Sequence, residues 1–102
     1  MATLFLLVGL PGSGKSTLAS QMERERGALV LSADEWMSRI VRDGWDAKRR
    51  VTVQEVQFEL ALKFLRLGGD VVLDFGLNHR RERDRYPARA TASGAETKTI
   101  YL

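Results

Sequence analysis

The chain has 102 residues, enough for one small domain with a single core. Hydrophobic residues make up 44% and charged residues 28%, an ordinary globular composition, and the absence of cysteine excludes disulfides, thiolate metal sites and a thiol nucleophile. The net charge of +3 is local, because Arg80 to Arg89 holds five arginines against two acids and the rest of the chain sums to zero.

The elements follow in order from periodicity and punctuation. Thr3 to Val8 is a short apolar run that reads as a buried strand. Met1 to Val8 lacks a basic leader and meets a glycine-rich turn rather than a cleavage site, so it is not a signal peptide. The turn opens a helix expected from about Gly14 to Arg26, with Gly27 as its stop. A second strand spans Ala28 to Leu31, and Ser32 or Asp34 is placed to cap a helix from about Glu35 to Arg42, ended by Gly44. Asp46 reads as the N-cap of a long helix, Ala47 to Leu67. Its expected apolar seam is Val53, Val56, Leu60, Phe64 and Leu67, and Gly68-Gly69 closes it. Asp70 to Asp74 is a third strand, broken by Gly76. Asn78 is placed to cap a basic helix of about two turns, expected to kink or end near Tyr86 because Pro87 removes a backbone bond. After a turn at Ala92 to Glu96, Thr97 to Leu102 forms a fourth strand.

Strands alternating with helices imply an α/β fold with a parallel sheet and right-handed crossovers. Ligands in such sheets bind beyond the strand C-termini, where the glycine-rich turn, Asp34 and Asp74 all fall. No internal repeat or linker is present, and no apolar run approaches the length that a membrane span needs. The absence of cysteine fits a reducing cytoplasm.

Gly9-Leu10-Pro11-Gly12-Ser13-Gly14-Lys15-Ser16 satisfies G-x-x-x-x-G-K-[ST], the phosphate-loop pattern, at every fixed position. Gly9, Gly12 and Gly14 let the backbone approach phosphate oxygens, while Pro11 stiffens the loop. Backbone N–H groups around Ser13 and at the helix start, through Thr17, make an anion site reinforced by the helix dipole. Lys15 can reach the β- and γ-phosphates, and the Ser16 hydroxyl can ligate Mg²⁺. A bare strand-to-helix turn with an exposed lysine is the plainer alternative.

Asp74 closes a run of apolar residues, as a Walker B acid does, and is a second candidate Mg²⁺ ligand; a turn carboxylate is the plainer reading. Asp74-Phe75-Gly76 also spells a protein-kinase motif, but the other signatures of that fold are missing. Asp34 is placed to take a proton from an attacking hydroxyl, or simply to cap a helix. In the arginine run, Arg81 or Arg85 could offer charge to a transferring phosphoryl group, the run could bind nucleic acid, or it could be a solvated face. His79, the only histidine, suits a surface role, and Trp36 and Trp45 suit packing more than base stacking.

Together GLPGSGKST, LSADEW and VVLDFGLNHRRERDR resemble small P-loop kinase-like ATP-binding proteins, known as AAA-type ATPases. These are similar to zeta toxins, chloramphenicol phosphotransferase and the kinase domain of polynucleotide kinases. The resemblance covers the chain in order. It implies a three-layer P-loop NTPase fold with sheet order 2-3-1-4-5, ATP with Mg²⁺, and phosphoryl transfer to a hydroxyl. The acid matching Asp34 is then the base or acceptor-binding group, and Met37 stands where the family often has arginine. Such proteins continue into a basic lid and a fifth strand, whereas this sequence stops at Leu102. The expectation is therefore a single domain over 1–102 with order 2-3-1-4, truncated at its C-terminus or completed by a partner chain. It is either a phosphotransferase acting on a small molecule or nucleic-acid end, or a nucleotide-binding regulatory module with little turnover.

Overall fold

Six consecutive buried residues make β1, Thr3–Val8, the middle of the domain. A strand apolar on both faces can only be satisfied with helices above and below it. In the computed structural model, which describes residues 2–10, 12–42, 46–75 and 80–102 (residues 80–83 by backbone only), β1 is a central strand. It pairs in parallel with β3, Val71–Asp74, on one side and with β4, Glu96–Tyr101, on the other. Strand β2, Leu29–Ser32, pairs in parallel with β3, giving the expected order β2-β3-β1-β4.

Alternation along β1 divides the core into two. Leu4, Leu6 and Val8 face one side with Val71 and Leu73, against Phe58, Ala61 and Leu65 of α3, Ala47–Arg66, and Tyr86 and Ala90 of α4, Arg80–Ala92. Phe5 and Leu7 face the other side with Val72, against Ala19 and Met22 of α1, Lys15–Arg26. This is the three-layer α/β arrangement expected. The strand starts are pinned by Asp70, whose carboxylate accepts the Thr3 N–H at 2.9 Å and whose carbonyl accepts the Leu29 N–H at 2.9 Å.

Three expectations are corrected. The first concerns α3, which buries Gln54, Gln57, Phe58, Ala61 and Leu65 rather than the purely apolar seam. Val53 and Phe64 are half-buried, whereas Val56, Leu60 and Leu67 are 49%, 41% and 84% exposed. Two glutamines take inward positions, and Gln57 Nε2 donates to the Ser32 carbonyl at 3.1 Å, tying α3 to the end of β2. That bond satisfies the Nε2 half of the buried amide, whereas its Oε1 has no hydrogen-bond partner among the described residues, so polarity here does not mean exposure.

The second concerns the helix after β2. It begins two residues early, because of the two candidate caps Ser32 is the one used, with its Oγ accepting the Glu35 N–H at 3.3 Å. A short α2, Ala33–Trp36, then widens into a π-helical turn, Met37–Val41, closed by an Arg42 N–H to Met37 carbonyl bond of 2.8 Å. Asp34 therefore lies inside the first turn and is not the cap.

The third is α4, which spans 13 residues rather than about two turns and does not end near Tyr86 but continues through Pro87. Interior proline costs about 3 kcal/mol, so tertiary contacts must outweigh it. Tyr86 stacks between Phe58 and Phe75 at centroid distances of 4.8 and 5.5 Å, and Ala90 is fully buried. Glu55 accepts from Arg85 at 2.6 Å and Arg89 at 3.4 Å, so one carboxylate grips the helix on both sides of Pro87. The expected cap Asn78, and Gly44, Trp45, Gly76 and His79, lie outside the described residues. Among the described residues no helix is long and apolar enough to cross a membrane.

The shifted face of α3 is testable by denaturant unfolding. Phe58→Ala is expected to cost about 3–5 kcal/mol as a buried large-to-small change, whereas exposed Leu67→Ala should stay within about 0.5 kcal/mol. Equal costs would return the seam to its expected face.

Candidate functional site

Parallel pairing brings the ends of β1, β2 and β3 to one edge of the sheet, with Ser32 in register with Asp74. The glycine-rich turn leaves β1 at that edge. Gly12 and Gly14 adopt φ of 82° and 95°, the left-handed region that side chains avoid. Gly9 answers a different need. A Cβ there would lie 2.6 Å from Ser13 Oγ and 3.2 Å from the Leu102 Cβ, so any side chain would force these neighbours to shift. The turn is closed by the Ser13 N–H donating to the Leu10 carbonyl at 3.1 Å. Pro11 lies outside the described residues.

Gly14 is the N-cap of α1 and supplies no side-chain acceptor. The first intrahelical bond is Leu18 N–H to the Gly14 carbonyl at 3.0 Å. The N–H groups of Lys15, Ser16 and Thr17 therefore precede the helical ladder, beside the positive end of the dipole. Ser13 Oγ is buried with no hydrogen-bond partner among the described residues. An orphaned hydroxyl and free helix-start donors in one turn are what an anionic ligand would complete.

Across this turn, Lys15 Nζ stands 3.7 Å from Asp74 Oδ1, and both side chains are largely covered, at 12% and 14% exposure. That distance is an ion pair without a hydrogen bond, so the ammonium can exchange the carboxylate for phosphate oxygens. Among the described residues no three or more His, Cys, Asp or Glu cluster as a metal cage. Mg²⁺ does not require one, since it takes one or two carboxylates, a hydroxyl, substrate phosphates and water. Asp74 and the exposed Ser16 hydroxyl at the start of α1 are of the right kind.

Asp34 is 80% exposed at the start of α2, freed from capping by Ser32. Its Oδ1 accepts from Arg50 Nη2 of α3 at 2.7 Å. Sequence reading did not single out Arg50, because nothing local links residues sixteen apart on different helices. An exposed pair of this kind contributes about 0–1 kcal/mol, so its effect is to orient Asp34 rather than to hold the fold. Met37, where the family often carries arginine, is fully buried. Arg85 pairs with Glu55 at 2.6 Å, and the Arg81 side chain lies outside the described residues.

Comparison with known proteins agrees with this geometry. The family AAA_33, an AAA domain, matches residues 4–102. The chain is similar to a chain of the Pnkp1/Rnl/Hen1 complex, at 20% identity and a TM-score of 0.81, covering 98% of this chain and 35% of that one. It is similar to a cysteine-to-alanine mutant of the Mycobacterium tuberculosis APS kinase CysC, at 22% identity and a TM-score of 0.77, over 98% and 74% of the two chains. A hexameric APS kinase from Thiobacillus denitrificans is similar at 19% identity and a TM-score of 0.71, over 100% and 22%. This chain thus spans about a third of the length of its counterpart in the Pnkp1/Rnl/Hen1 complex. No curated protein matches the sequence. With a family match over nearly all its length, the chain belongs to the AAA_33 family of AAA domains and has the P-loop kinase-like fold.

Proposed function

We propose that the domain binds ATP with Mg²⁺ and transfers the γ-phosphate to a hydroxyl of a small molecule or a nucleic-acid end. The observation that carries this reading is the partly buried Lys15–Asp74 pair at 3.7 Å, beside a left-handed glycine turn and the orphaned Ser13 hydroxyl.

In this reading the N–H groups from Ser13 to Thr17 hold the phosphates, and Lys15 leaves Asp74 for the β- and γ-oxygens. Ser16 and Asp74 would hold Mg²⁺, which neutralises charge on the phosphates when bound. The acceptor hydroxyl gives its proton to the Asp34 carboxylate as its oxygen bonds to the γ-phosphorus. The bond from that phosphorus to the bridging oxygen breaks, and ADP leaves with the electron pair. Arg50 keeps Asp34 turned toward the acceptor, and Arg81 is assigned to the charge on the transferring group. A second reading, a nucleotide-binding module with little turnover, is favoured by the pairing of Arg85 and Arg89 with Glu55. Multiple-turnover phosphorylation by the chain would exclude that second reading.

Thermal unfolding provides the first test. At a hundredfold excess over Kd, Mg·ATP should stabilise the chain by about 2.7 kcal/mol, and Lys15→Ala should erase the shift. An equal shift in both proteins would overturn the phosphate-loop reading.

Calorimetric titration separates the metal role. Asp74→Asn should keep ATP binding without Mg²⁺ and lose the gain in affinity that Mg²⁺ gives the wild type. A gain that survives removes Asp74 from the metal site.

For Asp34, ADP release with an acceptor should fall by about 10²–10⁴ in Asp34→Asn, while the ATP-induced thermal shift is kept. Unchanged transfer would reduce Asp34 to a surface carboxylate.

A further inference from the structure

The outward face of α3 is used by none of the roles above. Val53, Val56, Leu60, Phe64 and Leu67 follow one another at spacings of three, four, four and three residues, a single stripe along the helix. The core takes the opposite face, through Gln54, Gln57, Phe58, Ala61 and Leu65. Val56, Leu60 and Leu67 stand exposed in the stripe, with Val53 and Phe64 half-buried at its edge. At a rise of 1.5 Å per residue the stripe is about 21 Å long, a continuous apolar ridge rather than scattered surface residues.

The ridge is held in shape at its C-terminal end. Phe64 packs against the core cluster, and its ring covers the closing turn so closely that a Cβ at Gly69 would overlap it. Gly68 turns the chain away at φ 92°, and Leu67 projects beside it at 84% exposure.

Two features of the ridge say what covers it. Its spacing is palindromic about Leu60, so that reversed end for end the stripe falls on itself. In an antiparallel pair of α3 helices Leu60 meets Leu60, each Val56 meets a Phe64, and each Val53 meets a Leu67. A small side chain then faces a large one on both sides of the centre, as close packing requires. A parallel pair would set Phe64 against Phe64 and Val53 against Val53. The second feature is charge. Exposed Glu59 and Lys63 lie one turn apart on one flank of the stripe. A two-fold axis across the helix brings that flank of both copies together, with Glu59 of each beside Lys63 of the other.

We propose that this face is the interface of a reversible dimer, in which two copies of the chain pack α3 antiparallel about a two-fold axis at Leu60. The proposal is independent of the phosphate site, because α3 and α1 lie in layers on opposite sides of the sheet. A single helix pair buries less than the ~800 Å² per partner of a standard interface, so the dimer dissociates on dilution.

Sedimentation equilibrium tests the pairing. The mass should rise from that of one chain, 11.5 kDa, toward twice that value as concentration climbs through the micromolar range and above. Leu60→Glu should hold the chain at the mass of one copy, and Leu67→Glu, at a more exposed position, should weaken pairing with the fold intact. Because the chain has no cysteine, single cysteines report the register. Under a mild oxidant Leu60→Cys should form a covalent dimer. Leu67→Cys should not do so alone, and should when mixed with Val53→Cys. A single-copy mass at every concentration, a dimer indifferent to both glutamates, or cross-linking of Leu67→Cys to itself in preference to Leu60→Cys overturns the proposal. A single-copy chain that sediments with anionic phospholipid vesicles would overturn it too, and would assign the ridge to a lipid surface.

Discussion

Everything in this domain hangs on β1 being buried on both faces. Six covered residues between β3 and β4 leave that strand one direction and one register. A slip of one residue would exchange Leu4, Leu6 and Val8 for Phe5 and Leu7 between two differently shaped cores. Because the strand cannot slide, the chain leaving Val8 enters the glycine-rich turn at a fixed place. Lys15 then begins its helix opposite the end of β3, where Asp74 waits. The Asp70 carboxylate applies the same constraint from the other end, by taking the Thr3 N–H.

What the sequence disclosed follows from how local each signal is. The glycine-rich turn is a contiguous pattern, and its backbone demands, left-handed φ at Gly12 and Gly14, are written in the residue types. The strand order came from resemblance, and the parallel pairing from the alternation of elements. The inward face of α3 was misread because apolar periodicity counts aliphatic residues. This helix buries Gln54 and Gln57 instead and leaves Val56 and Leu67 outside. A buried glutamine becomes intelligible only when its partner is known, and the Ser32 carbonyl lies 25 residues away. The π-turn at Met37–Val41 has no composition signature, and Pro87 was overruled by contacts with α3 that no local rule contains.

At the candidate site the same division holds. Lys15 and Asp74 were named from their patterns, and the fold sets them side by side. The Ser32 cap relieves Asp34 of a structural duty that sequence alone left open. Arg50 was invisible because its relation to Asp34 exists only after α3 packs beside α2. A guanidinium 2.7 Å from an exposed carboxylate fixes the direction of a group that would otherwise rotate freely.

The grip of Glu55 on Arg85 and Arg89 bears on how this protein meets polyanions. By composition, Arg80 to Arg89 is the basic segment of the molecule. Attraction to a nucleic-acid backbone depends on cations that release condensed counterions as they replace them. Arg85 and Arg89 already carry an internal counterion donated by another helix, and Arg89 also lies over the Phe58 ring at 4.7 Å. To serve a phosphate chain they would first have to leave Glu55 and uncover the junction that steadies α4 around its proline. Two of the five arginines are therefore fastenings between helices, and the electrostatic reach of the segment is shorter than its sequence suggests.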